Sequence, residues 1–360
     1  MSGTRIFEGI VGNRAALRIL ERVLRLGEVS HAYLFHGPEG VGKHTVARRF
    51  GAALVAGDDA AALGRALRGL HPDLTEVEPE GAFTTIGQVR EVLRLAASRP
   101  FEGARRVFIL RADTFNVQAA NALLKTLEEP EGEAVFLLLA ASREAVLPTI
   151  ASRAQAVRFD PVPTEEVSRL LAERGFPEPG LAAALGRGSV GLALRYAGEP
   201  ELRELRESVL EAALGTLRDF EDVHRAAGRI AELAGKVGEA RERAALSSVE
   251  EPDRAARERA RRAGRAARDG AVREALGLLS AVYRDAAAIA AGAPELVINA
   301  DRREDLRRVV REREGVDWAE AAARAGEAAL DLAYNVSPEA ILEVTLSELR
   351  RKISGSSRAW

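Results

Sequence analysis

The sequence predicts an α/β P-loop core with a parallel sheet, then a small helical unit, then an all-α domain. Three observations carry this. First, Ala32-Tyr33-Leu34-Phe35, Val107-Phe108-Ile109-Leu110 and Val135-Phe136-Leu137-Leu138-Leu139 are short and apolar throughout. Strands covered on both faces of a parallel sheet read this way. Second, helical patterns lie between them. In 116–128, Ala120, Leu123, Leu124 and Leu127 recur at i, i+3, i+4 and i+7, and Pro130 stops the run. Third, from Thr164 onward the pattern is helical almost without interruption.

The elements follow in order. The first strand runs into Gly37-Pro38-Glu39-Gly40-Val41-Gly42-Lys43-His44-Thr45, which opens a predicted helix. Gly37, Gly42 and Lys43 fit G-x-x-x-x-G-K, whose glycines let backbone N–H groups converge on phosphate oxygens. The helix start adds positive dipole, and Lys43 reaches the outer phosphates. Nucleotide-binding candidates are therefore Gly37, Pro38, Gly40, Gly42, Lys43, His44 and Thr45. One position departs from the pattern. The residue after the lysine supplies a hydroxyl to Mg²⁺, and His44 is no hard oxygen donor. Thr45 is one residue late, about 100° further round the helix. Two readings stay open: a loop that takes ATP or ADP with weak Mg²⁺ dependence, or one kept for shape with weakened metal and nucleotide binding and no firm cofactor.

Phe159-Asp160-Pro161-Val162-Pro163 reads as a hinge. Thr164 then reads as a hydroxyl cap, with Glu165 and Glu166 near the positive end of the dipole. Gly198-Glu199-Pro200 is the next break. Residues 201–353 are rich in Ala, Leu, Arg and Glu. There Ser337-Pro338-Glu339 starts a final helix with Leu342, Leu346 and Leu349 on one stripe. Domains are expected at 1–160, 161–199 and 200–353, with a frayed tail over 354–360.

Composition bounds the function classes. The 360 residues contain no cysteine, which excludes disulfides, a thiol nucleophile and cysteine-built zinc or iron–sulfur sites. The net charge of −2 gives no global pull toward nucleic acid or an anionic membrane. No apolar stretch is long enough to span a bilayer, and no apolar core follows Met1-Ser2-Gly3-Thr4-Arg5. A cytoplasmic protein is expected. Of the 52 basic residues 48 are arginine, so no single arginine is conspicuous by type alone. Arg254, Arg257, Arg261, Arg265 and Arg268 share one helical face. That face reads as solvated, or alternatively as a stripe for phosphates.

Three further stretches are distinctive: His31-Ala32-Tyr33-Leu34-Phe35 with Gly37-Pro38; Ala119-Ala120-Asn121-Ala122-Leu123-Leu124-Lys125-Thr126-Leu127-Glu128-Glu129-Pro130; and Leu147-Pro148-Thr149-Ile150-Ala151-Ser152-Arg153. With these the chain resembles the delta-prime family of bacterial DNA polymerase III clamp-loader subunits, which are AAA+ proteins. The likeness is dense over about 5–160 and only architectural beyond 200. It implies an AAA+ core, a helical lid domain over 161–199 and a collar domain over 200–353. It also implies a replication role in a ring with gamma/tau ATPases and a delta subunit, loading a sliding clamp onto primed DNA.

The same resemblance shows what is lost. Motor relatives carry Asp-Glu after the strand 107–110, and alignment puts Leu110 and Arg111 there. Leucine cannot ligate metal, and arginine stays protonated. Gly191 in Gly188-Ser189-Val190-Gly191 stands where motors have a sensing arginine, with Arg187 or Arg195 as stand-ins. Ser142 is the candidate at the other sensing position. Relatives also bind zinc ahead of their His-Pro-Asp stretch. Here His71-Pro72-Asp73 remains without thiolates, so neither zinc nor another bound metal is expected. Ser152-Arg153 survives, and in the family this arginine enters a neighbour's nucleotide site. The expected role is therefore a stator with no hydrolysis of its own. The alternatives are an active motor subunit and a P-loop small-molecule kinase.

Overall fold

The computed structural model describes residues 6–79, 83–129, 132–215, 217–247, 253–331 and 337–354. Pro130 and the tail from 355 lie outside them. The chain forms two compact units, Met1–Leu194 and Arg195–Trp360.

Among the described residues the first unit holds five strands: β1 (Ala32–His36), β2 (Leu74–Val77), β3 (Arg106–Arg111), β4 (Ala134–Ala140) and β5 (Gln155–Arg158). Their order is β2-β3-β4-β1-β5, and every pairing is parallel. The helices are α1 (Arg14–Leu26), α2 (Lys43–Ala56), α3 (Ala60–Leu67), α4 (Ile86–Ala96), α5 (Val117–Glu128) and α6 (Pro148–Ala151). One sheet face packs Tyr33, Phe35, Ile109 and Leu137 with Phe50 of α2 and Leu20 of α1. The other packs Leu34, Phe108, Phe136 and Leu138 with Leu123 and Leu127 of α5. Neighbouring residues of β1 thus enter different cores, which is why the strand is apolar at every position.

The three central strands match the three apolar runs. The edge strands β2 and β5 carry no such run, because each has at most one fully buried residue. Asn116 caps α5 by accepting from the Ala119 N–H at 2.8 Å.

After the sheet come α7 (Thr164–Glu173), α8 (Pro179–Leu185) and α9 (Val190–Gly198). Thr164 does not cap α7. The cap position is Pro163, Thr164 is already the first helical residue, and no side chain bonds there. A proline preceding the helix fixes the entry by its restricted backbone instead. The linker is held within the first unit. The Val162 N–H donates to Gly188 O at 2.9 Å, and a Cβ on Gly12 would sit 2.6 Å from a Val162 methyl.

The second unit is helical: α10 (Pro200–Leu214), α11 (Phe220–Ser247), α12 (Arg254–Ala290), α13 (Arg303–Glu312), α14 (Trp318–Asp331) and α15 (Pro338–Ser354). Helices α11 and α12 touch backbone to backbone at Gly238 and Gly264. A Cβ on Gly238 would lie 2.8 Å from Gly264 O, so only glycine permits that approach. Leu342, Leu346 and Leu349 of α15 are buried, as their stripe predicts. Buried Asp285 accepts from the Ile298 and Asn299 N–H groups and from Asn299 Nδ2, stapling the chain after α12. The five arginines 254, 257, 261, 265 and 268 are all exposed.

Candidate functional site

The glycine loop leaves the C-terminal end of β1, where a parallel sheet opens its ligand crevice. Gly37, Gly40 and Gly42 have φ of 146°, 75° and 104°, in the region that favours glycine. Gly42 is the N-cap of α2. Two of these glycines also face close neighbours. A Cβ on Gly37 would fall 2.0 Å from Phe159 O, and one on Gly40 would fall 1.9 Å from Ser189 Oγ.

Lys43 folds into the loop, donating to Gly37 O at 2.5 Å and Pro38 O at 2.6 Å. Burial pushes its ammonium pKa down, against the opposing pull of Glu39 and Asp113.

His44 and Thr45 are exposed on the first turn of α2. His44 Nε2 lies 3.0 Å from Glu76 Oε2, and Arg48 Nε lies 2.6 Å from Glu76 Oε1. Burial opposes the charge on Glu76. Its bonds with His44 and Arg48 outweigh that and hold the carboxyl below its usual range. Position 44 is thus engaged with a carboxylate of β2 and offers no hydroxyl for a metal.

At the end of β3 stands Arg111, flanked by two acids. Its Nη2 is 3.3 Å from Glu39 Oε1 in the loop, and its Nε is 3.4 Å from Asp113 Oδ1. Asp113 accepts the Ala141 N–H through its other oxygen at 2.9 Å. Ser142 caps the next turn, accepting from the Ala145 N–H at 3.2 Å. Among the described residues, no group of three or more His, Asp or Glu side chains could hold a metal ion.

A cavity of about 660 Å³ spans these elements. Lys43, Arg49, Arg111 and Arg174 are its basic wall, and Ile10, Val11, Leu170 and Leu194 its apolar wall. Gly191 lines it too, and its N–H donates to Gly40 O at 3.1 Å, so the start of α9 abuts the loop. Position 191 is glycine, with Arg187 and Arg195 on either side of it in sequence. Arg195 Nε bonds Glu199 at 3.0 Å, Arg187 is not in the cavity wall, and Arg174 at the end of α7 is.

Ser152 and Arg153 lie elsewhere. They follow α6 and precede β5, whose Gln155 is level with Tyr33 near the start of β1. They therefore sit at the N-terminal edge of the sheet, whereas the glycine loop sits at the C-terminal edge. At about 3.3 Å per residue the separation is roughly 13 Å or more. Arg153 is ion-paired with Glu128 at the end of α5 and donates to Thr149 O at 2.9 Å. Ser152 Oγ accepts from Arg153 at 3.3 Å.

The family model described as "DNA polymerase III, delta subunit" matches residues 12–163. A Pseudomonas aeruginosa protein named DNA polymerase III subunit delta' is 38% identical over 205 residues, covering 52% of this chain and 62% of that protein. The region matched by the family model takes in the five-stranded sheet and the glycine loop. A Bacillus subtilis delta' subunit is 28% identical, covering 54% of this chain and 62% of its own length. A Bacillus subtilis tau subunit is 31% identical over 163 residues, 43% of this chain and 28% of that protein. The chain thus spans somewhat under two thirds of the delta' relatives it matches. Among solved structures, a gamma-subunit-related protein of Thermotoga maritima matches with a TM-score of 0.44 at 19% identity, over 92% of this chain and 99% of its own.

The core contains site residues that pattern reading passed over. Asn13 bonds Val41 O in the loop at 3.2 Å, and Asp160 through its O at 3.2 Å and its N–H at 2.7 Å. It stitches three distant segments. Only its neighbour Gly12 and its own φ of 49° set it apart, and the second is invisible in sequence. Arg49 anchors the entering chain through Ile6 O and Glu8 O at 3.2 and 2.6 Å. Glu39, Glu76 and Arg174 were hidden among ordinary charged residues. No helix among the described residues is long and apolar enough to cross a membrane.

Proposed function

We propose that this chain is the delta-prime stator of a DNA polymerase III clamp loader, giving Arg153 in trans to a neighbour's ATP. The observation that carries the reading is where Arg153 sits. It stands at the opposite edge of the sheet from its own loop, so it cannot serve a nucleotide bound there. A planar, permanently charged guanidinium is suited to the charge that builds on a transferring phosphoryl group. The neighbours are gamma/tau ATPases and a delta subunit, joined through a collar built from residues 200–353. The assembly acts on the sliding clamp and primed DNA, in the cytoplasm.

The chain's own hydrolysis is absent on this reading. Phosphoryl transfer needs a metal acid and a group that orients water, and Leu110 and Arg111 can be neither. Purified protein should show no steady-state Mg²⁺-dependent ATP turnover. Clear turnover would replace the stator with a motor subunit.

Glu128 follows from the same reading. It holds Arg153 in a half-exposed ion pair, 34% and 49% accessible at the two side chains. Such pairs are worth at most about 1 kcal/mol. Releasing the arginine from Glu128 should therefore help it engage elsewhere. Glu128→Ala is expected to raise the reconstituted loader's ATPase by up to ~5-fold. A marked fall instead would mean that Glu128 orients the finger.

A further inference from the structure

The glycine loop keeps its shape, yet the groups around it do not suit a divalent cation. The hydroxyl position is His44, engaged with Glu76. Where the resemblance implies two acids, the strand end carries Leu110 and Arg111. Asp113 is committed through one oxygen to the Ala141 N–H and through the other to Arg111. Glu39 is committed to Arg111 as well. The metal-donor positions of the loop and strand end are thus replaced or paired with Arg111; Thr45 and Glu78 also line the cavity, away from those positions.

The charge that a metal would bring is nevertheless present. Arg111 lies within ion-pair distance of Glu39, a residue of the loop itself, so the guanidinium reaches the space in front of the phosphate nest. Lys43 is a further cation in the cavity wall. We propose that Arg111 replaces the divalent cation in this pocket, so that the loop holds a nucleoside diphosphate without metal.

Geometry and chemistry agree on this. Guanidinium presents a planar fork of N–H donors that matches two phosphate oxygens at once. Its charge does not depend on pH in the physiological range. The Glu39–Arg111 pair is half-exposed, with Glu39 70% accessible, so the carboxylate can turn to solvent and yield Arg111 to a phosphate. Lys43 makes the matching change, leaving the Gly37 and Pro38 carbonyls for an anion. The nest itself needs no rearrangement, because Gly40 and Gly42 already hold positive φ. The apolar wall of Ile10, Val11, Leu170 and Leu194 gives a base a dry surface away from the phosphates. Glu39 thereby acts as an internal stand-in for the ligand's phosphate. Its pairing with Arg111 keeps the loop closed on itself until a polyanion competes. The proposal stands apart from the trans role of Arg153, which uses the other edge of the sheet.

The test is calorimetric titration of the full chain with ADP, once in EDTA and once in Mg²⁺. Affinity in the two buffers should agree within about threefold. In EDTA, Arg111→Ala should weaken binding by ~10-fold or more, the loss expected for a charge-assisted hydrogen bond. Arg111→Lys should recover part of it, keeping the charge without the fork. Glu39→Gln should tighten binding by removing the competing carboxylate. Lys43→Ala should abolish binding, which assigns the heat to the loop. Thermal melts of each variant check that the fold is kept. No heat with wild-type protein in either buffer would overturn the proposal. So would a tenfold loss on removing Mg²⁺, or unchanged affinity in Arg111→Ala.

Discussion

Replacing Arg153 with alanine is expected to silence ATP hydrolysis at the neighbouring site while leaving the loader assembled. A trans arginine of this kind is worth roughly 10³-fold or more in turnover at the site it enters. The total ATPase of a ring with several sites should drop by the share of that one site. Single-turnover hydrolysis, read at the contacted subunit, should show the full loss. Arg153→Lys should not restore it, because an ammonium cannot span two phosphoryl oxygens as the planar fork does. Assembly should survive, since among the described residues Arg153 bonds Glu128, Thr149 and Ser152 and is half-exposed. The side chain therefore contributes little to folding, and a kinetic loss in an intact ring isolates its chemical role. Gel filtration of the reconstituted complex checks the assembly. Unchanged DNA-stimulated hydrolysis and clamp loading by the Arg153→Ala ring would leave the chain a scaffold.

What the sequence made legible, and what it hid, follows from how local each feature is. The central strands could be read because β1, β3 and β4 are covered on both faces, and burial on both faces leaves a continuous apolar run. The edge strands could not. In β5 only Val157 is buried, so Gln155-Ala156-Val157-Arg158 looks like any loop. The glycine loop was legible because positive φ demands glycine at fixed spacing, and the spacing is short. Its surroundings were not. Glu39 and Arg111 are 72 residues apart, Asn13 and Asp160 are 147 apart, and Arg153 and Glu128 are 25 apart. Each pair is made by topology, and nothing in the charge of one residue names its partner. The same applies to Thr164. A hydroxyl before two acids reads as a cap, but Pro163 had already set the helix entry one residue earlier. That Leu110 and Arg111 are no acids could be read directly, because it is a statement about single positions. What Arg111 does instead depends on a loop that folds beside it.

Asp73→Ala is expected to destabilise the first unit by about 3 kcal/mol, far more than any surface substitution in the chain. Asp73 is completely buried, yet it accepts the N–H groups of Phe101, Glu102 and Gly103 at 2.7, 2.9 and 2.8 Å. Arg106 Nε stands 3.3 Å away. One carboxylate thus fastens the loop ahead of β3 to the segment ahead of β2. Alanine would leave three backbone donors and Arg106 without their acceptor. The loop also has no slack, since a Cβ on Gly103 would lie 2.7 Å from Val55 O. For a unit of this size the melting temperature should fall by roughly 6–12 °C. The pH dependence has a definite sign. Burial raises the Asp73 pKa, but the three N–H donors and Arg106 outweigh it, so the folded value lies below the unfolded one. Its stabilisation is therefore complete above the unfolded value of about 3.9 and drains away as pH falls through the folded value. Asp73→Asn, which cannot ionise, should lose about 2 kcal/mol at neutral pH. Its deficit against the wild type should shrink below pH ~4. Urea unfolding across that range measures both effects. Variants within about 0.5 kcal/mol of wild type at pH 7 would show that the loop is held by other contacts. A deficit independent of pH would show that shape, and not the carboxylate charge, accounts for the clamp.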